Sequence, residues 1–344
     1  MMIPRLEISF PLRRQGQYLF GKPYLPQQNE FLLNHARSGI VLALRALELP
    51  VGSKVGMMVY NCHTVMNAVQ ESGCVPVFID INDNLTIDSD DLKRKGGGLR
   101  ALVVTHLFGI ENDVAAIRRL YPDLPIIEDC AHAFGKEHAE GDFAVYSIGL
   151  GKLPSVGDGG ILQVNNHAYL PAVGQLYASL PDYSFMENAN LFCRLWLKSV
   201  LNLPLVYKHL TLPLKRRRAR QSGKEKIVLR RMSKGVSAVY NAVHESVGGE
   251  IIKRRQNAEN MMRELGERAE TEKILCGDNA FMMAVVCDNP SALRKQLYKN
   301  GIDSATHFSQ SLTWAAEFGY QHGQCPNAEK LTNRLLMIPT YKSR

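Results

Sequence analysis

The sequence predicts an α/β protein with a mostly parallel sheet in a large domain, followed by a small α+β domain. Between residues 37 and 164, short apolar runs alternate with amphipathic helical segments, a pattern typical of βαβ units. Residues 280–340 alternate again, as strand, helix and strand. The length of 344 residues, with 45% hydrophobic and 22% charged residues, suits one large domain with a smaller partner, or two domains.

Helices and strands alternate along the large domain. Helical spacing of apolar residues predicts helices in "SGIVLALRALEL", "HTVMNAVQESG" and "ENDVAAIRRLYPD". Short apolar runs predict strands in "KVGMMVY", "VPVFID", "ALVVTHL" and "PIIED". Ligands of such sheets collect beyond the carboxyl ends of the strands. His106, Asp129 and Ser147 follow strands and are therefore candidate site residues by position.

The second half of the chain begins with a less regular region, a basic, Leu-rich insertion over residues 185–234. Residues 233–270 then predict a long helix that breaks near Gly248-Gly249. "AFMMAVVC", "PSALRKQLYKNG" and "RLLMIPT" follow as strand, helix and strand. We expect a large domain over residues 1–235, and a linking helix with the small C-terminal domain over residues 236–344.

The net charge of +8 is concentrated in one segment. Leu191 to Lys234 contains 13 Lys or Arg and one acid, Glu225, giving +12, whereas the remainder has 28 basic and 32 acidic residues, giving −4. "KRRRAR", residues 215–220, is most simply a solvated loop. Beside the Trp196 segment it also suits an anionic membrane surface, and basic clusters bind nucleotide-sugar diphosphates too. Nucleic acid is not expected, because no reading module is present.

Several protein classes are excluded by the sequence. "MMIPRLEISFPLRRQ" has no signal-peptide core, and no stretch reaches the ~18 apolar residues of a spanning helix. The seven cysteines are odd in number and form no CxxC pair, which predicts reduced thiols in a cytoplasmic protein without a disulfide framework or metal site. The residues around Lys152 do not match a nucleotide P-loop.

A glycine-rich stretch surrounds a single lysine. In "YSIGLGKLPSVGDGG", residues 146–160, five of fifteen residues are glycine, which suits close approach of a ligand to the backbone at Lys152. Asp129 directly follows an apolar strand and can hold a protonated ring nitrogen, while His132 can stack on the same ring. Ser147 and the helix start at Ser38-Gly39 can bind a phosphate. This order suits a cofactor that needs a Schiff-base lysine, a buried carboxylate and a phosphate cradle.

These residues have simpler readings as well. Lys152 alone would be a surface loop lysine, Asp129 a helix cap, and His132 a helix histidine. His63 and Cys62 can serve in packing, and His106 can be a structural hydrogen bonder.

"IIEDCAHAFG" and "GDFAVYSIGLGKLPSVGDGGIL" together resemble the DegT/DnrJ family of PLP-dependent sugar aminotransferases. The family pattern runs E-D-x-A-[QH]-A-x-G, G-D, S-[FIL]-x-x-x-K and G-[ED]-G-G. "SGIVLAL", "GCVPVFIDI", "VVTHLFG" and "CPNAEKLTNRLLMIPTY" resemble further family blocks in the same order. The resemblance covers residues 36–341.

The resemblance implies a fold-type-I PLP transferase in which Lys152 binds pyridoxal 5'-phosphate covalently and shuttles the proton. Asp129 would hold the pyridinium, and His132 would lie against the ring. The phosphate would bind at Ser147 and the turn Ser38-Gly39-Ile40, although Ile40 replaces the family's threonine. The resemblance places Cys62 at the position of the aromatic ring that covers the cofactor, so either the adjacent His63 stacks on the cofactor instead or that ring face is less covered.

The implied reaction is transfer of an amino group from an amino acid, glutamate by preference, to a keto sugar carried on a nucleotide, for polysaccharide or glycoconjugate synthesis. The resemblance also implies a homodimer with shared active sites. The cysteines predict a cytoplasmic location, and the basic segment Leu191–Lys234 is a candidate for peripheral membrane contact. Two alternatives stay open: a PLP-dependent sugar dehydratase, and a non-catalytic or regulatory relative that keeps the fold. In such dehydratases a histidine replaces the lysine, so Lys152 argues against the first.

Overall fold

The computed structural model describes residues 3–4, 10–135, 140–212, 223–266 and 271–341. A large α/β unit contains a seven-stranded sheet in the order β1-β7-β6-β5-β4-β2-β3, and a second sheet has the order β10-β9-β8. In the large sheet β3, β2, β4, β5 and β6 are parallel, and β7 and β1 are antiparallel additions at one edge. The predicted fold class, a mostly parallel sheet with a small α+β part, is confirmed.

The strands are short, as the apolar runs predicted. Their bounds are β1 Glu30–Leu33, β2 Lys54–Met58, β3 Val75–Ile79, β4 Ala101–Thr105, β5 Ile126–Asp129, β6 Phe143–Ser147, β7 Gly160–Val164, β8 Thr271–Cys276, β9 Met282–Cys287 and β10 Leu335–Pro339.

Helices cover the sheets and connect the two units. Their bounds are α1 Phe10–Phe20, α2 Ala36–Ala46, α3 His63–Glu71, α4 Ser89–Lys95, α5 Val114–Leu120, α6 Leu170–Ala178, α7 Phe185–Leu201, α8 Pro204–Val206, α9 Lys234–Asn241, α10 Val247–Gly266, α11 Pro290–Lys299, α12 Ser311–Ala316 and α13 Pro326–Thr332. Among the described residues, no helix is both long and apolar enough to cross a membrane.

The predicted long helix over residues 233–270 is interrupted earlier than expected. α9 ends at Asn241, a 3₁₀ turn covers His244–Ser246, and α10 begins at Val247. Gly248 and Gly249 therefore lie inside the first turn of α10, and the predicted break at these glycines is wrong. A Cβ atom at either glycine would meet nothing within 4 Å, so both glycines lie on an open face of the helix, where they are tolerated.

The two sheets share one apolar core. A single cluster of buried residues includes Val103 of the large sheet and Ala284 of the small one. The predicted division at residue 235 stays a prediction. The insertion begins with α7, which carries a capping box between Ser184 and Glu187. The basic cluster at residues 215–220 lies outside the described residues.

The sheet register places polar groups side by side at one edge. Thr105, the last residue of β4, is opposite Asp129, the last residue of β5, and Asp129 is opposite Val145 of β6. Ser147 ends β6 and is opposite Gly160 of β7. Because parallel strands end at a common edge, side chains from three strands reach one place.

Helix α2 begins directly against this edge because of two glycines. A Cβ at Gly160 would lie 2.3 Å from the Ala36 nitrogen, and a Cβ at Gly39 would lie 3.1 Å from Cγ1 of Val145. Gly39 therefore lets the helix lie on β6, and Gly160 lets its first residue touch β7. The amino end of α2 is thereby fixed at the carboxyl edge of the sheet.

The close approach at Gly160 predicts a large difference between two alanine substitutions. Gly160→Ala is expected to lower the free energy of unfolding by about 1–3 kcal/mol, because the helix start must move. Gly174→Ala is the matched control, since a Cβ there meets nothing within 4 Å in α6 and alanine favours helices. Urea denaturation measures both variants. Equal stabilities would contradict the packing argument.

Candidate active site

A cavity of about 240 Å³ opens at the carboxyl edge of the large sheet, where α2 and α3 begin. Strand ends, helix starts and one C-terminal loop all contribute to its walls. The lining residues are His35, Ala36, Arg37, Ile40, Asn61, Cys62, Thr64, Val65, Thr105, Asp129, Ala131, His132, Ser147, Gly149, Lys152, Asp158, Gly159, His307 and Phe308.

Lys152 enters the cavity from the glycine-rich loop. Gly151 has φ +75°, its N–H donates to Ser155 Oγ at 3.0 Å, and the Lys152 N–H donates to the Gly149 carbonyl at 3.1 Å. The Lys152 Nζ lies 5.7 Å from the centre of the Phe281 ring. Burial lowers the pKa of the Lys152 amine, and the nearby Cys62 and Asp129 charges oppose this effect. The Lys152 amine therefore loses its proton, and becomes nucleophilic, at a lower pH than the amine of a solvated lysine.

The Asp129 carboxyl is held in place by two donors. The Thr105 hydroxyl donates to Oδ2 at 3.2 Å, and the Ala131 N–H donates to Oδ1 at 3.1 Å. Asn61 in turn donates to Thr105 Oγ1 at 2.8 Å. Burial raises the pKa of Asp129, against the lowering effects of the Ala131 N–H and the Lys152 charge. A buried carboxyl that is short of positive charge is suited to bind a protonated ring nitrogen.

His132 is packed among aromatic rings and is neutral. Its ring is stacked on Phe281 at 4.6 Å and on Phe308 at 5.9 Å between centroids. The Phe108 N–H donates to Nδ1 at 3.1 Å, so the remaining proton of the neutral ring is on Nε2. Burial places the pKa of His132 well below its ordinary value, and the Lys152 charge lowers it further. His132 is therefore a flat, uncharged donor in the cavity wall.

The opposite end of the cavity is formed by the amino end of α2. His35, Arg37 and Ile40 line it, together with Ser147 and the glycines at positions 149 and 159. Among the described residues, His35 Nδ1 and Arg37 Nε are buried atoms without a hydrogen-bond partner. The free N–H groups and dipole of a helix start favour a phosphate. This end can thus take an anion.

The structure brings most of the residues singled out from the sequence into the cavity. Lys152, Asp129, His132, Ser147, Ile40 and Cys62 line it. Ser38, Gly39 and His63 lie next to it without lining it. The Ser38 hydroxyl is fully buried and donates to Asn34 Oδ1 at 2.8 Å, and Gly39 packs on Val145. Phosphate binding by Ser38, Gly39 and Ile40 stays a prediction.

His106 lies apart from the cavity. Its Nε2 is 2.8 Å from Glu128 Oε2, and its Nδ1 accepts from the Asn112 N–H at 3.1 Å. His106 and Glu128 are both fully buried. These buried hydrogen bonds fit the second of the two readings given from the sequence, in which His106 is a structural hydrogen bonder and not a site residue.

Several lining residues were not found from the sequence. His307 and Phe308 come from a loop of the C-terminal part, and Phe308 has φ +57°, an uncommon conformation for phenylalanine. The Tyr60 hydroxyl donates to the His307 carbonyl at 2.5 Å and holds this loop on the large sheet. His35 and Arg37 lie within the three residues before the Ser38-Gly39 pair, and this closeness to the predicted helix start was the signal that could have identified them.

The donor set fits pyridoxal phosphate. Lys152 offers an amine with a lowered pKa, Asp129 a buried carboxyl for a ring nitrogen, and His132 a flat neutral ring. His35 Nδ1, a buried atom without a hydrogen-bond partner, lies at the helix start where the phosphate would be held. Arg37 lies at the same helix start, with Nε 3.6 Å from Glu225 Oε1. When bound, this cofactor supplies an electron sink for breaking bonds at the carbon next to an amine.

The fold and the cavity define a fold-type-I pyridoxal-phosphate protein. The profile of the DegT/DnrJ/EryC1/StrS aminotransferase family matches residues 23–177 and 214–343. The chain therefore belongs to this family, as its motifs indicated.

Curated relatives match part of the chain. GDP-perosamine synthase of Vibrio cholerae is 27% identical over 153 residues, covering 42% of each chain. UDP-N-acetyl-3-dehydro-alpha-D-glucosamine 3-aminotransferase of Acidithiobacillus ferrooxidans is 32% identical over 135 residues, covering 36% of each. These matches span about two fifths or less of the relatives' lengths.

A solved structure shows the same fold over nearly the whole chain. The putative sugar aminotransferase Spr1654 from Streptococcus pneumoniae, in its PLP form, superposes with a TM-score of 0.71 at 15% sequence identity. The superposition covers 99% of this chain and 94% of that one.

The lowered pKa of Lys152 predicts the pH dependence of cofactor attachment. Attachment should rise with pH through a midpoint below the ordinary lysine value of 10.5, because only the neutral amine attacks a carbonyl. Borohydride reduction followed by mass spectrometry of the Lys152 peptide measures the attached fraction. Asp129→Asn removes a charge that raises this pKa, so the midpoint should move to lower pH. An unchanged or higher midpoint in the variant would contradict the arrangement.

Proposed function

We propose that this protein is a PLP-dependent aminotransferase that moves an amino group from an amino acid to a keto sugar carried on a nucleotide. The observation that carries the proposal is Lys152, which shares one cavity with Asp129 and with the amino end of α2. Membership of the aminotransferase family supports the reaction class. The names of the two curated relatives support a nucleotide-linked sugar as acceptor.

Each residue of the cavity has a role in this reaction. Lys152 Nζ holds the cofactor and then moves the proton between the two carbons that exchange the amine. Asp129 keeps a proton on the ring nitrogen, and Thr105 and Ala131 keep its carboxyl oriented. His132 donates from Nε2 towards the ring and, with Phe308, excludes water from that wall. The start of α2 binds the phosphate.

Glutamate is the proposed amino donor, and the proposed product enters polysaccharide or glycoconjugate synthesis. The working unit is a homodimer with shared active sites in the cytoplasm. The family resemblance supports these points, and light scattering tests the dimer.

Lys152 separates this function from both alternatives. A sugar dehydratase of this family lacks the lysine, and a non-catalytic relative has no need of an amine with a lowered pKa inside a cavity. We therefore favour the aminotransferase.

Removing the Lys152 amine is expected to abolish turnover. Lys152→Arg should lower amino transfer by about 10²–10⁴-fold or more, because the proton is no longer shuttled by a neutral amine. Mass spectrometry of the aminated nucleotide sugar measures the rate, with glutamate as donor and 3-keto and 4-keto nucleotide sugars as acceptors. Lys93→Arg, an exposed lysine of α4, is the matched control and should keep wild-type activity. Turnover of an amino-acid pair without any sugar would contradict the substrate class.

We also propose that the insertion, residues 185–234, makes peripheral contact with an anionic membrane. α7 and α8 expose apolar side chains, among them Phe185, Trp196, Leu197 and Leu205, with exposed fractions between 42% and 85%. The segment from residue 191 to 234 has 13 basic residues against one acid. Exposed apolar groups beside cations suit an anionic interface, where each cation adds ~1 kcal/mol.

Introducing a negative charge in place of an exposed leucine tests the membrane contact. Leu205→Glu is expected to weaken binding to phosphatidylserine vesicles about tenfold or more, because a buried leucine contributes about 1.5–3 kcal/mol. Leu25→Glu is the control, since Leu25 is 86% exposed but lies outside the insertion. Vesicle co-sedimentation measures both. A change in dimer mass with no change in sedimentation would assign the face to a second copy of the chain and contradict membrane contact.

A further inference from the structure

The surroundings of Cys62 differ from those of an ordinary packing cysteine. Cys62 immediately precedes α3 as the N-cap residue, and it is partly exposed to the cavity that Lys152 lines. The Thr64 hydroxyl donates to Sγ at 3.1 Å. His63 Nδ1 lies 3.8 Å from the same sulfur. A helix start, a hydroxyl donor and an imidazole all favour a thiolate.

The array continues beyond the histidine. His63 Nε2 lies 3.8 Å from Glu225 Oε2, and Arg37 Nε lies 3.6 Å from Glu225 Oε1. Glu225 is the one acid of the basic segment from residue 191 to 234. The backbone at Glu225 is held in place, because its N–H donates to Asn67 Oδ1 at 2.9 Å and Asn67 donates to the Gly223 carbonyl. The order of nucleophile, base and orienting carboxylate is that of an activated nucleophile.

The charges around the sulfur agree with this arrangement. Burial opposes ionisation, but the hydrogen bond and charge of His63, with the Thr64 donors, bring the pKa of Cys62 below its ordinary value. The contact with Cys62 raises the pKa of His63, and Glu225 adds to this while burial and Arg37 oppose it. Lys152 and Asp129 also face the cavity, one favouring and one disfavouring a thiolate. The other partly buried cysteine, Cys276, has a pKa raised to about 11 by burial and Asp278.

We infer that Cys62 is a reactive thiolate, paired with a protonated His63 and oriented by Glu225, and that it is a modification site for peroxides and soft electrophiles inside the cofactor cavity. With a peroxide, the sulfur attacks one oxygen, the O–O bond breaks, and the leaving hydroxide takes the proton of His63 and departs as water. The sulfur is oxidised by two electrons to a sulfenic acid, and the peroxide is reduced. With iodoacetamide, an S–C bond forms and iodide leaves.

The added group occupies space that the cofactor needs. Cys62 and Lys152 line the same cavity of about 240 Å³, so a modified sulfur narrows the path to the lysine amine. Modification of Cys62 therefore blocks cofactor loading, and bound cofactor protects Cys62 in return. This reciprocal block rests on the proposed cofactor site, whereas the reactivity of the sulfur does not.

The test is labelling of the full-length, cofactor-free protein with limiting iodoacetamide, followed by peptide mass spectrometry over a range of pH. Cys62 should be labelled well before Cys276 and before the exposed Cys193, with a pH midpoint below the ~8.5 of a free thiol. His63→Asn should lower the rate at pH 7 by about three- to tenfold and move the midpoint upward. Glu225→Gln should act in the same direction more weakly, and circular dichroism confirms that each variant is folded.

Two outcomes would overturn the inference. Labelling of Cys62 no faster than Cys276, or a midpoint that is unchanged in both folded variants, means that no thiolate pair exists.

Peroxide followed by dimedone should tag Cys62, and absence of the tag excludes the oxidation step. Preloading with pyridoxal phosphate should slow labelling of Cys62 but not of Cys193. If Cys62 is labelled fast but pyridoxal phosphate does not protect it, the reactive thiolate is supported and the proposed cofactor site is contradicted.

Discussion

The burial of the Lys152 amine and the Asp129 carboxyl in one cavity is the constraint on which the site depends. Burial disfavours both charged forms, lowering the pKa of the amine and raising that of the carboxyl, while the opposite charge of each partner limits the shift. Because the effect of burial on Lys152 exceeds that of the neighbouring charges, the neutral, reactive form of the amine is favoured. Burial also explains the neutral His132, because a further cation beside Lys152 would raise the electrostatic cost of the cavity.

This arrangement is produced by strand order and by close backbone packing. Asp129 is the last residue of β5, and its neighbour Thr105 is the last residue of β4, so the carboxyl and its donor meet through the parallel register. The amino end of α2 depends on a different requirement, the absence of a side chain at position 160. A Cβ there would lie 2.3 Å from the Ala36 nitrogen, so glycine lets α2 begin against the sheet edge that borders the cavity. One edge of the sheet therefore carries both ends of the site.

The parts of this site that were predictable from the sequence are the local ones. Apolar runs mark β2 to β5, and a polar residue at the end of a run marks Asp129. The antiparallel β7 was missed because it begins inside the glycine-rich stretch, and β1 was missed with it, because β1 pairs with β7 at the edge of the sheet. His307 and Phe308 reach the cavity only through tertiary contacts such as the Tyr60 hydrogen bond, and no local pattern encodes them. The break before α10 likewise follows from packing, since the glycines that suggested it lie within the helix.

The basic segment from residue 191 to 234 connects to the cavity through its single acid, Glu225. Glu225 lies between Arg37 and His63, so a segment with twelve excess positive charges meets the site through a carboxylate. Arg37 has five N–H donors in a planar fork. It can hold Glu225 on one side and a phosphate at the start of α2 on the other without releasing either. Glu225 in turn balances the charge of Arg37, and it adds to the raised pKa of His63 beside Cys62.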